Sequence, residues 1–127
     1  MTTMENSEFA DDSLLYIDTR GVKAIGYEGE DGFVVCKGSQ AVVVEASSLS
    51  KHYGHVVRTR KALIDQGILE KDTEKDVFVF TQDYTLNSAN YAGNVVLAVS
   101  REVLRDWKNK HGIPLKEIRL RNSESVS

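Results

Sequence analysis

Three groupings in this chain have residue types and spacing that could do chemistry: a single thiol at Cys36, the pair His52-x-x-His55, and arginines and lysines gathered around positions 51–61 and 101–108. Cys36 is the one thiol nucleophile, but it sits in the strand-like run Phe33 to Lys37. No histidine or asparagine motif is tied to it, so a packed structural role is expected. His52 and His55 can share a helical face, yet zinc requires a third and a fourth ligand, and His111 is the only other histidine. Neither a metal site nor a cofactor is expected. Gly38-Ser39 and the glycines at 29 and 32 lack both the Walker lysine spacing and a Gly-x-Gly-x-x-Gly turn, so turn geometry explains them. The stretch Asn87-Ser88 opens a predicted helix and is a candidate anion site through its free N–H groups. Capping by Ser88 is the favoured reading there. No nucleophile, base and orienting group form a set, so the expectation is a protein that is not an enzyme.

The basic groups are where a binding function competes with a solvated surface. Lys51, Arg58, Arg60 and Lys61 have no acidic residue among them between Ala46 and Ile64. Arg101, Arg105 and Lys108 recur at i, i+4 and i+7 and would line one face of a helix, diluted by Glu102 and Asp106. Arg58, Arg60, Lys61, Arg101, Arg105 and Lys108 are therefore the expected contacts to a phosphate backbone. The net charge of −3 hides an asymmetry. Residues 1–31 hold eight acidic and two basic side chains, a balance of −6, and residues 32–127 hold eleven and fourteen, a balance of +3. That excess falls short of the strong basicity of a dedicated nucleic-acid binder. A homodimer or other protein contact is the competing expectation, with Tyr16, Tyr27 and Tyr53 as its aromatics.

These residues must be positioned by one domain, since 127 residues suffice for a single core. The expected boundaries are an acidic disordered tail over 1–12, a domain over 13–118 and a frayed tail over 119–127. A lone cysteine, no long apolar run and no signal segment point to the cytoplasm, with no membrane contact. Leu14, Tyr16 and Val22 to Tyr27 alternate as two strands about an Arg20-Gly21 turn, and Glu28 to Gly32 reads as a hairpin. Phe33 to Lys37 continues as a strand, bends at Gly38-Ser39 and resumes over Ala41 to Ala46. Serines 47, 48 and 50 offer caps before a helix over Val56 to Gln66, with Leu63 and Ile64 inward and a Schellman close at Gly67. Val77 to Phe80 is too apolar for an edge strand.

From Ser88, the residues Ala89, Ala92, Gly93, Val96 and Leu97 repeat at helical spacing, marking a buried small-residue helix with Asn90 and Asn94 on its solvated edge. Ser100 can cap a further helix through Val103, Leu104 and Trp107 to Gly112, with Trp107 in the core. The sum is an α+β fold: a mostly antiparallel sheet of four to five strands packed with two to three helices.

Gly32-Phe-Val-Val-Cys-Lys-Gly-Ser39, with Asp83-Tyr-Thr-Leu-Asn-Ser-Ala-Asn-Tyr-Ala-Gly93 and Trp107-Lys108, resembles the bacterial domain of unknown function numbered four-three-five-seven. Phe33, Gly38, Ser39, Ser88, Ala92, Gly93 and Trp107 carry that signature. The resemblance covers roughly residues 20–118 and implies the company of nucleases with a GIY-YIG domain and of restriction-type proteins, so nucleic acid or such a protein is the implied partner. No Gly-Ile-Tyr or Tyr-Ile-Gly element is present, and the cutting chemistry does not carry over. The family has a turn before the tryptophan where this chain has Glu102-Val103, and a helix is expected here in its place.

Overall fold

The structure, a computed structural model, describes residues 13–126. The expected tail over 1–12 lies outside the described residues. Among the described residues seven strands and four helices follow in order: β1 Leu15–Thr19, β2 Val22–Glu28, β3 Phe33–Val35, β4 Gln40–Val42, α1 Leu49–His52, α2 Gly54–Asp65, β5 Leu69–Asp72, β6 Val77–Phe80, β7 Tyr84–Leu86, α3 Ala89–Leu97 and α4 Leu115–Val126. The fold is α+β. Its strands divide between two antiparallel sheets, one ordered β1-β2-β3-β7 and one ordered β4-β6-β5.

Gly38-Ser39 is where the chain passes from one sheet to the other. The Ser39 hydroxyl accepts from the Ile25 N–H at 3.0 Å and donates to the Ile25 carbonyl at 3.2 Å, standing in for a paired strand residue. Ser39 and Phe80 pair in turn on the other side, and Gly38 N–H reaches the Phe80 carbonyl. The strand expected over Ala41 to Ala46 is therefore short, and β6 is central in the second sheet.

The alternation in β1 has the opposite parity to that expected. Leu15 and Ile17 are buried, opposite Gly26 and Ala24, while Tyr16 faces outward opposite Ile25. A one-residue shift in phase exchanges the two faces, and only the partner strand fixes it. Helix α2 ends as expected: Gly67 has φ 75°, its N–H reaches the Ile64 carbonyl, and Ile68 N–H reaches the Leu63 carbonyl. Both bonds of the Schellman motif are present. Ile64 itself is 39% exposed, so Leu63 alone of that pair faces the core.

Helix α3 lies at the centre, against β2, β3, β4, β7 and α2. The Ser88 hydroxyl accepts the Tyr91 N–H at 3.1 Å and caps it. Ala89, Ala92, Val95, Val96 and Leu97 are fully buried. Gly93 is required by close approach, because a Cβ there would stand 2.1 Å from Val103 Cγ2 and 3.1 Å from Trp107 Nε1. Trp107 is completely buried, donates to the Ala89 carbonyl at 2.9 Å and packs on Phe33 with ring centroids 4.7 Å apart.

Ser48 and Ser100 do not act as side-chain caps. Their hydroxyls bond each other at 2.6 Å and tie the start of α1 to the segment after α3. The end expected to fray continues α4 through Val126, held to the sheet by Arg119 on Glu28 at 2.8 Å.

Candidate nucleic-acid interface

The six expected phosphate contacts do not all reach the surface. Arg60 is 1% exposed: its Nε donates to Glu45 at 3.0 Å, and its two terminal nitrogens donate to the carbonyls of Val42 and Val95. Val95 lies in the last turn of α3, whose carbonyls have no helical partner, so a buried guanidinium satisfies it and complements the negative dipole end. Burial pushes the Arg60 pKa down, and the hydrogen bond and charge of Glu45 oppose that. Arg60 is thus an internal bridge between β4 and α3, removed from the candidate contacts. Arg58 and Lys61 remain exposed on α2.

The helix expected over residues 100–112 is absent, and with it the i, i+4, i+7 stripe. Turns and an isolated bridge occupy this stretch. The physical reason lies in Asn90 and Asn94, expected as a solvated edge of α3. Asn94 is 1% exposed, and its amide donates to the carbonyls of Val99 and Arg101, each at 2.8 Å. Asn90 Oδ1 accepts the Val103 N–H at 2.7 Å. These bonds satisfy backbone groups that a helix would otherwise pair, and they hold Val103 over Gly93. Arg101 turns to Asp106 at 2.8 Å, a bond that raises its pKa, while Arg105 is exposed. Lys108 exchanges both backbone hydrogen bonds with Tyr16 and extends the first sheet past β1.

The anion reading of Asn87-Ser88 is not supported by its surroundings. The depression there is lined by Glu28, Glu30 and Asp31 as well as Arg119, and Arg119 is paired with Glu28. Carboxylates on that rim oppose a bound anion. Cys36 is half-buried just past β3, and burial followed by the nearby Asp83 charge raises its pKa, which disfavours the thiolate. His55 stacks with Tyr53 at 5.7 Å and meets Tyr91 at 5.3 Å. Among the described residues no three His, Cys, Asp or Glu side chains converge on a metal-sized site, and no helix is long and apolar enough to cross a membrane.

What the fold does assemble is the outer face of the first sheet. Opposite the buried side, the register places Tyr16 beside Ile25, Asp18 beside Lys23, Tyr27 beside Val34 and Val34 beside Thr85, all half-buried or exposed. A cleft of about 690 Å³ runs between β1, β2 and the turn after Trp107, lined by Tyr16, Asp18, Lys23, Ile25, Lys108 and Lys110 among others. A smaller depression of about 260 Å³ continues it past Lys23 and Ile25 to Lys37. Of the two cleft carboxylates, Asp106 is already held by Arg101. Asp18 stands opposite Lys23, and Lys37 and Lys108 add exposed cations to the same face.

Residues 15–119 match the model of a family described as a domain of unknown function, DUF4357. The chain belongs to this family. Nothing among curated proteins or solved structures matches it. The DUF4357 match spans both sheets, α1 to α3 and the first residues of α4. The signature residues Phe33, Ser39, Ala92, Gly93 and Trp107 are buried, with Ser88 as a cap and Gly38 at the sheet crossover, so in this DUF4357 chain they build the scaffold. Sequence reading named Tyr16, Tyr27 and Lys108 but missed Lys23, Ile25, Lys37 and Lys110. The strand alternation of β2 could have found Lys23 and Ile25, and no local signal marked Lys37 and Lys110, which lie in turns.

Proposed function

We propose that this protein is a non-catalytic recognition module that holds the phosphate backbone of nucleic acid along the outer face of its first sheet. The observation that carries this reading is the placement of Lys23 and Lys108 around one open cleft, with Lys37 in the adjoining depression. Lysines set along a groove attract a polyanion through released counterions, and such binding is salt-sensitive. The resemblance to modules that accompany nucleases and restriction-type proteins points the same way, as an accessory beside nucleic-acid-processing proteins. Cys36, with its raised pKa, offers no ready nucleophile to set against this reading.

A mobility-shift titration at low and moderate salt tests the proposal. Retention at low salt that weakens with added salt, and weakens further in the double variant Lys23→Gln/Lys108→Gln, is the expected result. No retention of any single strand or duplex at low salt would sink it. The band of Tyr16, Ile25, Tyr27 and Val34 favours a second reading, a homodimer packed through the same face. Light scattering across a concentration series separates the two, because a monomer at every concentration removes the dimer.

A further inference from the structure

We propose, building on that reading, that the ligand of this face is a single strand, with two neighbouring bases stacked on Tyr16 and Tyr27. The five tyrosines divide cleanly. Tyr53, Tyr84 and Tyr91 pack against the hydrophobic core, and Tyr16 and Tyr27 do not. Tyr53 and Tyr91 also have His55 as a ring partner, whereas among the described residues neither Tyr16 nor Tyr27 stacks on another aromatic ring. Ile25, opposite Tyr16 and two residues before Tyr27, is 39% exposed and forms an apolar floor between them. The two tyrosines are diagonal neighbours on adjacent strands, a separation of roughly 7–8 Å between Cα atoms.

That arrangement suits unstacked bases and not a duplex. An aromatic ring binds the face of a base, which a double helix hides inside its stack, and base stacking on a protein aromatic tolerates any sequence. A duplex reader instead needs an element that projects into a groove. Helix α3 packs on the buried side of the sheet, and the cleft on the outer face is lined from β1, β2 and the turn after Trp107. Lys23 and Lys108 flank the Tyr16–Ile25 pair and Lys37 lies beyond Ile25, so cations gather at the Tyr16 end of the face, where the backbone of a bound strand would pass. A second copy of this chain is a poorer occupant, because a two-fold contact would set one lysine-bearing face against another.

The test is fluorescence anisotropy at low salt with a labelled twelve-nucleotide oligothymidylate, its oligouridylate counterpart and a twelve-base-pair duplex. Wild-type protein should bind the single strands about tenfold or more tighter than the duplex. Tyr16→Leu/Tyr27→Leu should lose about tenfold or more on the single strands with an unchanged salt slope. Lys23→Gln/Lys108→Gln should weaken both ligand classes and flatten the salt slope. Tyr16→Phe/Tyr27→Phe keeps both rings and should bind single strands as wild type does, which guards against a leucine variant that fails to fold. Wild-type affinity in the leucine variant, or lost affinity in the phenylalanine variant, overturns stacking while the lysine variant still reports backbone binding. No binding by wild type to any of the three ligands overturns the underlying reading itself.

Discussion

Replacing Gly93 by alanine should destabilise this protein, although the same change in an exposed helix would stabilise it. Alanine in a helix interior is favoured over glycine by about 1 kcal/mol. Against that gain, the new Cβ would stand 2.1 Å from Val103 Cγ2 and 2.9 Å from Val103 Cβ, far inside contact distance. Val103 cannot easily retreat, because its N–H is held by Asn90 at 2.7 Å and the neighbouring Arg101 carbonyl by Asn94 at 2.8 Å. Overpacking a tight site costs about 1–3 kcal/mol, and an anchored branched neighbour belongs at the upper end. The net effect is a loss of about 2 kcal/mol. For a domain of this size that lowers the Tm by roughly 6–10 °C. Thermal and urea unfolding measure it directly. The double variant Gly93→Ala/Val103→Ala removes the closer contact, with Cγ2, and leaves the one with the Cβ of residue 103, so it should be more stable than the sum of the single changes by on the order of 1 kcal/mol. A Gly93→Ala protein as stable as wild type, or additivity in the cycle, would refute the reasoning.

Three further outcomes follow from other contacts. Arg60→Ala should cost about 2–4 kcal/mol in urea unfolding, since it strips a buried cation from Glu45 and two carbonyls, while Arg58→Ala should stay within about 0.5 kcal/mol of wild type; equal effects would contradict the internal role of Arg60. Asn94→Ala should cost about 2–3 kcal/mol and speed amide exchange at Val103, because Asn94 supports both the 99–101 backbone and Asn90; wild-type exchange at Val103 would count against that network. Cys36 should alkylate with a pH midpoint above that of a free thiol, since burial and Asp83 raise its pKa and the thiolate fraction at neutral pH falls. A midpoint at or below the free value would contradict the half-buried placement.

The sequence by itself determined those features whose cause is local. Ser88 caps α3 because its hydroxyl reaches an N–H three residues on, and Gly67 closes α2 because its left-handed backbone lets the next amide turn back. The small-residue period of α3 and the apolar run of β6 marked buried elements, and the α+β class followed from them. Tertiary structure decided whatever depended on a partner distant in the chain. The phase of β1 depended on its pairing with β2, and that phase alone turns Tyr16 toward solvent. The segment from Arg101 to Gly112 carries helical spacing and a plausible cap, yet Asn90 and Asn94 take its backbone bonds and Tyr16 pairs with Lys108. Arg60 looks in sequence like its exposed neighbours Arg58 and Lys61, and only the meeting of β4 with the end of α3 makes it internal. The candidate interface was legible only in part, through Tyr16, Tyr27 and Lys108. Tyr16, Lys23 and Tyr27 share one hairpin, and the backbone pairing of Lys108 with Tyr16 is what brings a residue distant in the chain to the same face.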